Sequence, residues 1–151
     1  MIVIEAAGSV TPELVGAIAR LLPQLSTSSP APTESELAAM LAAPGTRLLL
    51  ARDGQDGAIV GTLTLVCFRI PTGIRAWIED VIVDESARGK GVGETLTKEA
   101  IRLAHETGAR TVDLTSSPSR QAANRLYQRL GFALRDTNVY RHLPEAHSDE
   151  P

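Results

Sequence analysis

The sequence predicts an α/β fold whose mixed sheet is antiparallel through its first half and parallel around one glycine-rich turn. Two patterns lead to this. Residues 47–69 read as two strands joined by a turn at 53–57, the arrangement of an antiparallel hairpin. Residues 75–115 read as strand, glycine-rich turn, helix and strand, a β-α-β unit whose two strands pair parallel.

With 151 residues, 43% of them hydrophobic and 22% charged, the chain can bury one sizeable core. A single domain over residues 1–143 is expected, followed by a polar, disordered tail at 144–151. Aromatics make up only 3%, so the core is built from Leu, Ile, Val and Ala, and stacking on single-stranded nucleic acid lacks its usual side chains. A net charge of −3 implies no general attraction to nucleic acid or anionic lipid. One cysteine, Cys67, excludes an intrachain disulfide and a cysteine-rich zinc site. No apolar run of membrane-spanning length and no signal-like N-terminus is present, so a cytoplasmic protein without a membrane partner is expected. His105, His142 and His147 have no ligand spacing and read as surface residues, with no metal site.

Residues 2–6 suit a first strand. Thr11, Pro12 and Glu13 then supply an N-cap, a proline at the first helical position and an acid in the first turn of a helix to about Leu22, ended by Pro23. The Ser- and Pro-rich stretch 26–32 is a loop and a candidate mobile lid. Thr33 and Glu36 have the spacing of a capping box for a second helix through Leu41, closed by Pro44 and Gly45. The hairpin strands follow, and residues 75–83, apolar on both faces, form a strand inside the sheet. A helix from Gly91 to about Glu106 stops at Gly108. Residues 110–115 are the parallel strand, 119–130 a last helix ended by Gly131, and 132–143 one or two final strands.

The turn Arg88-Gly89-Lys90-Gly91-Val92-Gly93 opens a helix, where unpaired backbone N–H groups and absent side chains favour an anion such as a pyrophosphate. A glycine-rich loop that only caps a helix is the alternative. A Walker A loop fails because Glu94-Thr95 follow Gly93 in place of Lys-Ser/Thr. A Rossmann turn matches poorly because the glycines are evenly spaced and residues 84–87 separate them from the strand.

The run 81–93, Val-Ile-Val-Asp-Glu-Ser-Ala-Arg-Gly-Lys-Gly-Val-Gly, closely resembles the acyl-CoA motif of the GNAT N-acetyltransferase superfamily, Gln/Arg-x-x-Gly-x-Gly/Ala. A second family signature stands at 123–132 as Ala-Asn-Arg-Leu-Tyr-Gln-Arg-Leu-Gly-Phe. The resemblance covers about residues 46–143. It implies the GNAT fold: a mixed, mostly antiparallel sheet, flanked by helices, with a parallel splayed pair at the acyl-CoA site. It also implies acetyl-CoA as the acyl donor and direct transfer of the acetyl group to an amine. A small primary amine is the expected acceptor. A protein or peptide amine, or a non-catalytic acyl-CoA-binding module, are the alternatives, and a homodimer is allowed.

Glu79 and Asp80 are adjacent carboxylates in an apolar strand, where a buried acid needs a partner or a function. Strand alternation puts Glu79 on the face of Val81 and Val83 and Asp80 opposite, unless a β-bulge exchanges them. By resemblance Glu79 is the general base, with Asp80 as the other candidate. Tyr127 is the general acid for the departing thiolate, against the alternative of an aromatic packed on the sheet. Val81, Ile82 and Val83 line the pantetheine arm, and Arg88, Gly89, Lys90, Gly91, Val92 and Gly93 hold the pyrophosphate. Arg120 stands where many members have a cofactor-contacting asparagine; Arg120 or Asn124 fills that place. Cys67, in a strand, reads as packing.

Overall fold

In the computed structural model, which describes residues 1–144, ten short segments build one sheet and its flanking helices. In chain order they are β1 (Ile2–Ala6), α1 (Pro12–Leu25), α2 (Glu34–Ala42), β2 (Thr46–Asp53), β3 (Ile59–Ile70), β4 (Gly73–Val83), a 3-10 turn (Glu85–Ala87), α3 (Val92–Thr107), β5 (Ala109–Asp113) and α4 (Gln121–Arg129). The sheet order is β1-β2-β3-β4-β5, antiparallel throughout except for the parallel β4–β5 pair.

Local chemistry starts the helices. The Thr11 hydroxyl accepts from Leu14 N–H at 3.1 Å, with Pro12 as the first helical residue of α1. Thr33 and Glu36 complete both arms of a capping box at 3.1 and 2.9 Å. Pro23 does not end α1, contrary to expectation; the helix continues to Leu25, with the proline on its exposed face. So near the C-terminus Pro removes one backbone bond only, and burial of Leu21 beside it holds the turn.

Both faces of the sheet are covered. Leu48 and Leu50 of β2 pack with Leu14, Ala17, Ile18 and Leu21 of α1 and Leu37 of α2. Leu49 and Ala51 face the other way, onto Val92, Leu96, Ala100 and Ala104 of α3. Alternation along one strand therefore feeds two cores.

β4 carries the irregularity on which the site depends. Thr64 of β3 pairs with Glu79 and Thr62 with Ile82, so Leu63 alone faces both Asp80 and Val81. This is a β-bulge, and Asp80 sits in the left-handed region at φ 48°. Ala76 and Ile78 before it face α3, and Val81 and Val83 after it pack on that same core, whereas Ile82 faces α1. Glu79 thus does not share a face with Val81 and Val83. Placing a non-glycine residue at positive φ costs about 1–2 kcal/mol; without the bulge, alternation from Ile78 would turn Asp80 into the α3 core, and burying an unpaired carboxylate costs more than that, so the bulge is retained.

Two further expectations change. Glu79 and Asp80 are exposed, so neither is a buried acid in need of a partner. The final strands do not form among the described residues: 132–143 pair with no strand, and Leu134, Val139, Tyr140 and Leu143 are exposed. Phe132 explains the start of this, because its N–H donates to Tyr127 O at 3.0 Å and its ring stands edge-on to Tyr127, which turns the chain back onto α4. From residue 145 the expected tail, with His147, lies outside the described residues.

Candidate functional site

β4 and β5 pair only from Ile74↔Ala109 to Trp77↔Asp113, and β4 then runs on for six residues without β5 beside it. The two strands splay there, and the gap holds a cavity of about 120 Å³. Glu79, Asp80 and Val81 line it from β4, Leu25 from the end of α1, and Arg120 and Tyr127 from α4 and its cap. The expected base and acid candidates are therefore brought to one cleft.

Glu79 is oriented by its own strand. The indole N–H of Trp77, two residues earlier, donates to Glu79 Oε1 at 2.6 Å. Tyr127 is buried, and desolvation raises its pKa above the usual phenol value, with the nearby Arg120 charge opposing this more weakly. Its hydroxyl has no hydrogen-bond partner among the described residues, so it remains a protonated donor at neutral pH.

The anion-binding turn lies at the mouth of α3. Gly89 and Gly91 take φ 81° and 77°, conformations that glycine adopts without strain. A side chain added at either would meet nothing within 4 Å, so the concave side of the turn is open. Gly91 caps α3 with no side-chain hydrogen bond, and the amides of Gly89, Gly91, Val92 and Gly93 have no acceptor among the described residues. This donor set fits a diphosphate, whose oxygens would complete it. Gly93 differs from its neighbours: it lies in the helix, and a Cβ there would touch Leu126 and Val83 at ordinary distances of 3.5 and 3.7 Å.

The remaining predicted residues divide. Arg88 is exposed beside the turn. Lys90 is engaged with Asp53 at 3.1 Å across the β2–β3 turn. Val92 and Ile82 are core residues; Val83 is half-buried on the α3 core. Asn124 donates to the carbonyls of Ser117 and Arg120 at 2.9 and 2.8 Å, which fastens the loop before α4. Arg120, by contrast, lines the cleft. Glu94, so close to the turn, bonds to Lys98 at 3.5 Å and approaches Arg129 at 3.8 Å. Cys67 packs against the α3-side core, away from the cleft lining.

Sequence reasoning missed Leu25 and Thr115, both in the cleft wall. Leu25 follows Pro23, which read as a stop, and Thr115 looked like the last residue of a strand. Nothing local marks either one.

A family model described as the acetyltransferase (GNAT) family matches residues 16–132. An uncharacterized N-acetyltransferase of Methanocaldococcus jannaschii is 39% identical over 57 residues, which is 38% of this chain and only 25% of that relative's length. Among solved structures, a chain from Agrobacterium tumefaciens named "Putative acetyltransferase" superposes with a TM-score of 0.81 at 28% identity, covering 93% of this chain and 99% of that one. A Trypanosoma brucei acetyltransferase does so with a TM-score of 0.76 at 25% identity, covering 95% and 100%.

Proposed function

Since this chain belongs to the acetyltransferase (GNAT) family, we propose that it is an N-acetyltransferase moving the acetyl group of acetyl-CoA directly to a primary amine of a small molecule. The observation that carries this reading is the cleft at the β4–β5 splay, which Glu79 and Tyr127 both line, together with the turn of unpartnered amides at the start of α3.

Gly89, Gly91, Val92 and Gly93 would hold the pyrophosphate through backbone N–H groups, with Arg88 and, once released from Asp53, Lys90 adding charge. Val81 to Val83, on the edge of β4 that β5 leaves uncovered, would line the pantetheine arm. When bound there, acetyl-CoA supplies an activated thioester carbonyl. Amine attack requires the neutral amine, so Glu79, held by Trp77, accepts the proton, directly or through a water. The bulge at Asp80 takes backbone out of the ladder at Val81, and the Val81 N–H is the candidate donor to the carbonyl oxygen as it gains charge. Tyr127, kept protonated by burial, delivers a proton to the departing thiolate.

The exposed carboxylates of Glu79 and Asp80 on the cleft rim favour a cationic amine, and the small cleft favours a compact one. Residues 1–143 act as one catalytic unit in this reading, in the cytoplasm. Thiol release on a panel of small amines and of peptide N-termini tests it: turnover on small amines supports the reading, and turnover on peptides alone, or none on either class, overturns it.

A further inference from the structure

A Cβ added at Gly89 or Gly91 would meet nothing within 4 Å, so side-chain packing does not hold these two glycines; the turn is fixed at one end by α3, where Val92 is buried, and at the other by the residues leading into it. Asp84 and Glu85 are those residues. Asp84 N–H donates to Val60 O at 2.8 Å, its carboxylate accepts from Ser86 N–H at 3.2 Å, and Ala87 behind it is buried. Two side chains of α1, one helical turn apart, meet this footing from the other side. Gln24 Oε1 accepts from Glu85 N–H at 3.0 Å. Arg20 Nε lies 3.5 Å from Asp84 Oδ2, and its Nη2 donates to Ile59 O at 2.5 Å.

We propose that Arg20 and Gln24 are positioning residues for the pyrophosphate-binding turn, setting the place of its amides by clamping Asp84 and Glu85. The inference rests on the acetyl-CoA reading above. Half of the Arg20 side chain is exposed, so its ion pair adds little to folding stability. Its effect is on geometry, and a donor set displaced by even a fraction of an ångström binds its anion less well. Neither residue belongs to a glycine motif; α1 is brought to the turn only by the fold.

The test uses Gln24→Met, Arg20→Ala and Arg20→Lys in the full chain, with calorimetric binding of CoA, hydrogen exchange of the bonded amides of the turn and its footing, Ser86 to Arg88 and Lys90, in the free protein, and thermal unfolding without ligand. Gln24→Met and Arg20→Ala are expected to weaken CoA about tenfold each, the loss of one well-placed hydrogen bond. These bonded amides should exchange faster, and kcat at saturating acetyl-CoA should stay within about twofold. Arg20→Lys, which keeps a cation beside Asp84, should recover most of the affinity. A lower unfolding temperature with CoA affinity and turn exchange unchanged would reduce both residues to structural support and overturn the proposal. A native chain that bound no CoA would instead overturn the acetyl-CoA reading, and exchange at the turn would then decide the clamp by itself.

Discussion

Trp77 Nε1 lies 2.6 Å from Glu79 Oε1, so one carboxylate oxygen is tied to the indole while the other has no partner among the described residues. Trp77 and Glu79 share a strand face before the bulge, which makes the tryptophan the orienting group for the candidate base. Glu79→Gln should lower kcat/KM by about 10²–10⁴-fold, measured as thiol release. Trp77→Phe should cost about tenfold or less, because the carboxylate survives and only its orientation is lost. An unchanged kcat/KM in Glu79→Gln would take the residue out of the reaction.

Tyr127→Phe should lower kcat by about 10²-fold or more while leaving CoA binding within about twofold, since the lost hydroxyl has no partner among the described residues. Burial raises the phenol pKa, so between pH 6 and 9 the native rate should show no limb from Tyr127 ionisation. Stopped-flow thiol release at each pH reads both expectations.

Gly91→Ala should destabilise the protein by about 1–2 kcal/mol, from the positive φ alone, since nothing crowds the added methyl. Gly93→Ala should be far milder, because Gly93 is helical and its Cβ site is at contact distance without overlap. Urea denaturation of the two variants side by side checks this ordering, which equal losses would contradict.

Acid should loosen the footing of the turn. The Asp84 carboxyl is held below its usual value, first by the Ser86 backbone N–H, against burial, which acts the other way. Its folded pKa is lower than its unfolded one, so its contribution is present above about pH 4 and fades as pH falls through the depressed value. Asp84→Asn should flatten the decline of the urea midpoint between pH 5 and 2; an equally steep decline in the variant would assign that acid sensitivity to other carboxylates.

Much of this was legible in the sequence. The hairpin, the parallel return and the glycine turn were marked by residues that act locally: Thr11 and Thr33 as caps, Gly91 and Gly108 at positive φ. The two cleft residues with proposed chemistry, Glu79 and Tyr127, stood out by type and by family signature. What could not be read depends on packing. The bulge at Asp80 exists because Ile82 finds α1 on one face while Val81 and Val83 find α3 on the other, and no window around Asp80 contains that information. Residues 132–143 have strand propensity, but propensity forms no ladder without a neighbouring strand, and Phe132 directs the chain elsewhere. Arg20 and Gln24 belong to an amphipathic helix whose sequence is silent on what lies beyond its polar face.

The bulge also sets how this strand can change. It acts as a phase shift of one residue within an otherwise period-two message, and everything after it is read in the shifted frame. Deleting Asp80 would remove the extra residue and leave Glu79, Val81, Ile82 and Val83 in plain alternation on the faces they already occupy, with Thr62, Leu63 and Thr64 of β3 each opposite one residue. Asp80→Gly should therefore be close to neutral, and the deletion should still fold with both cores intact while straightening β4 and returning the Val81 backbone to the ladder, so that its cost falls on activity and not on the urea midpoint. The extra residue thus serves the cleft and not the core.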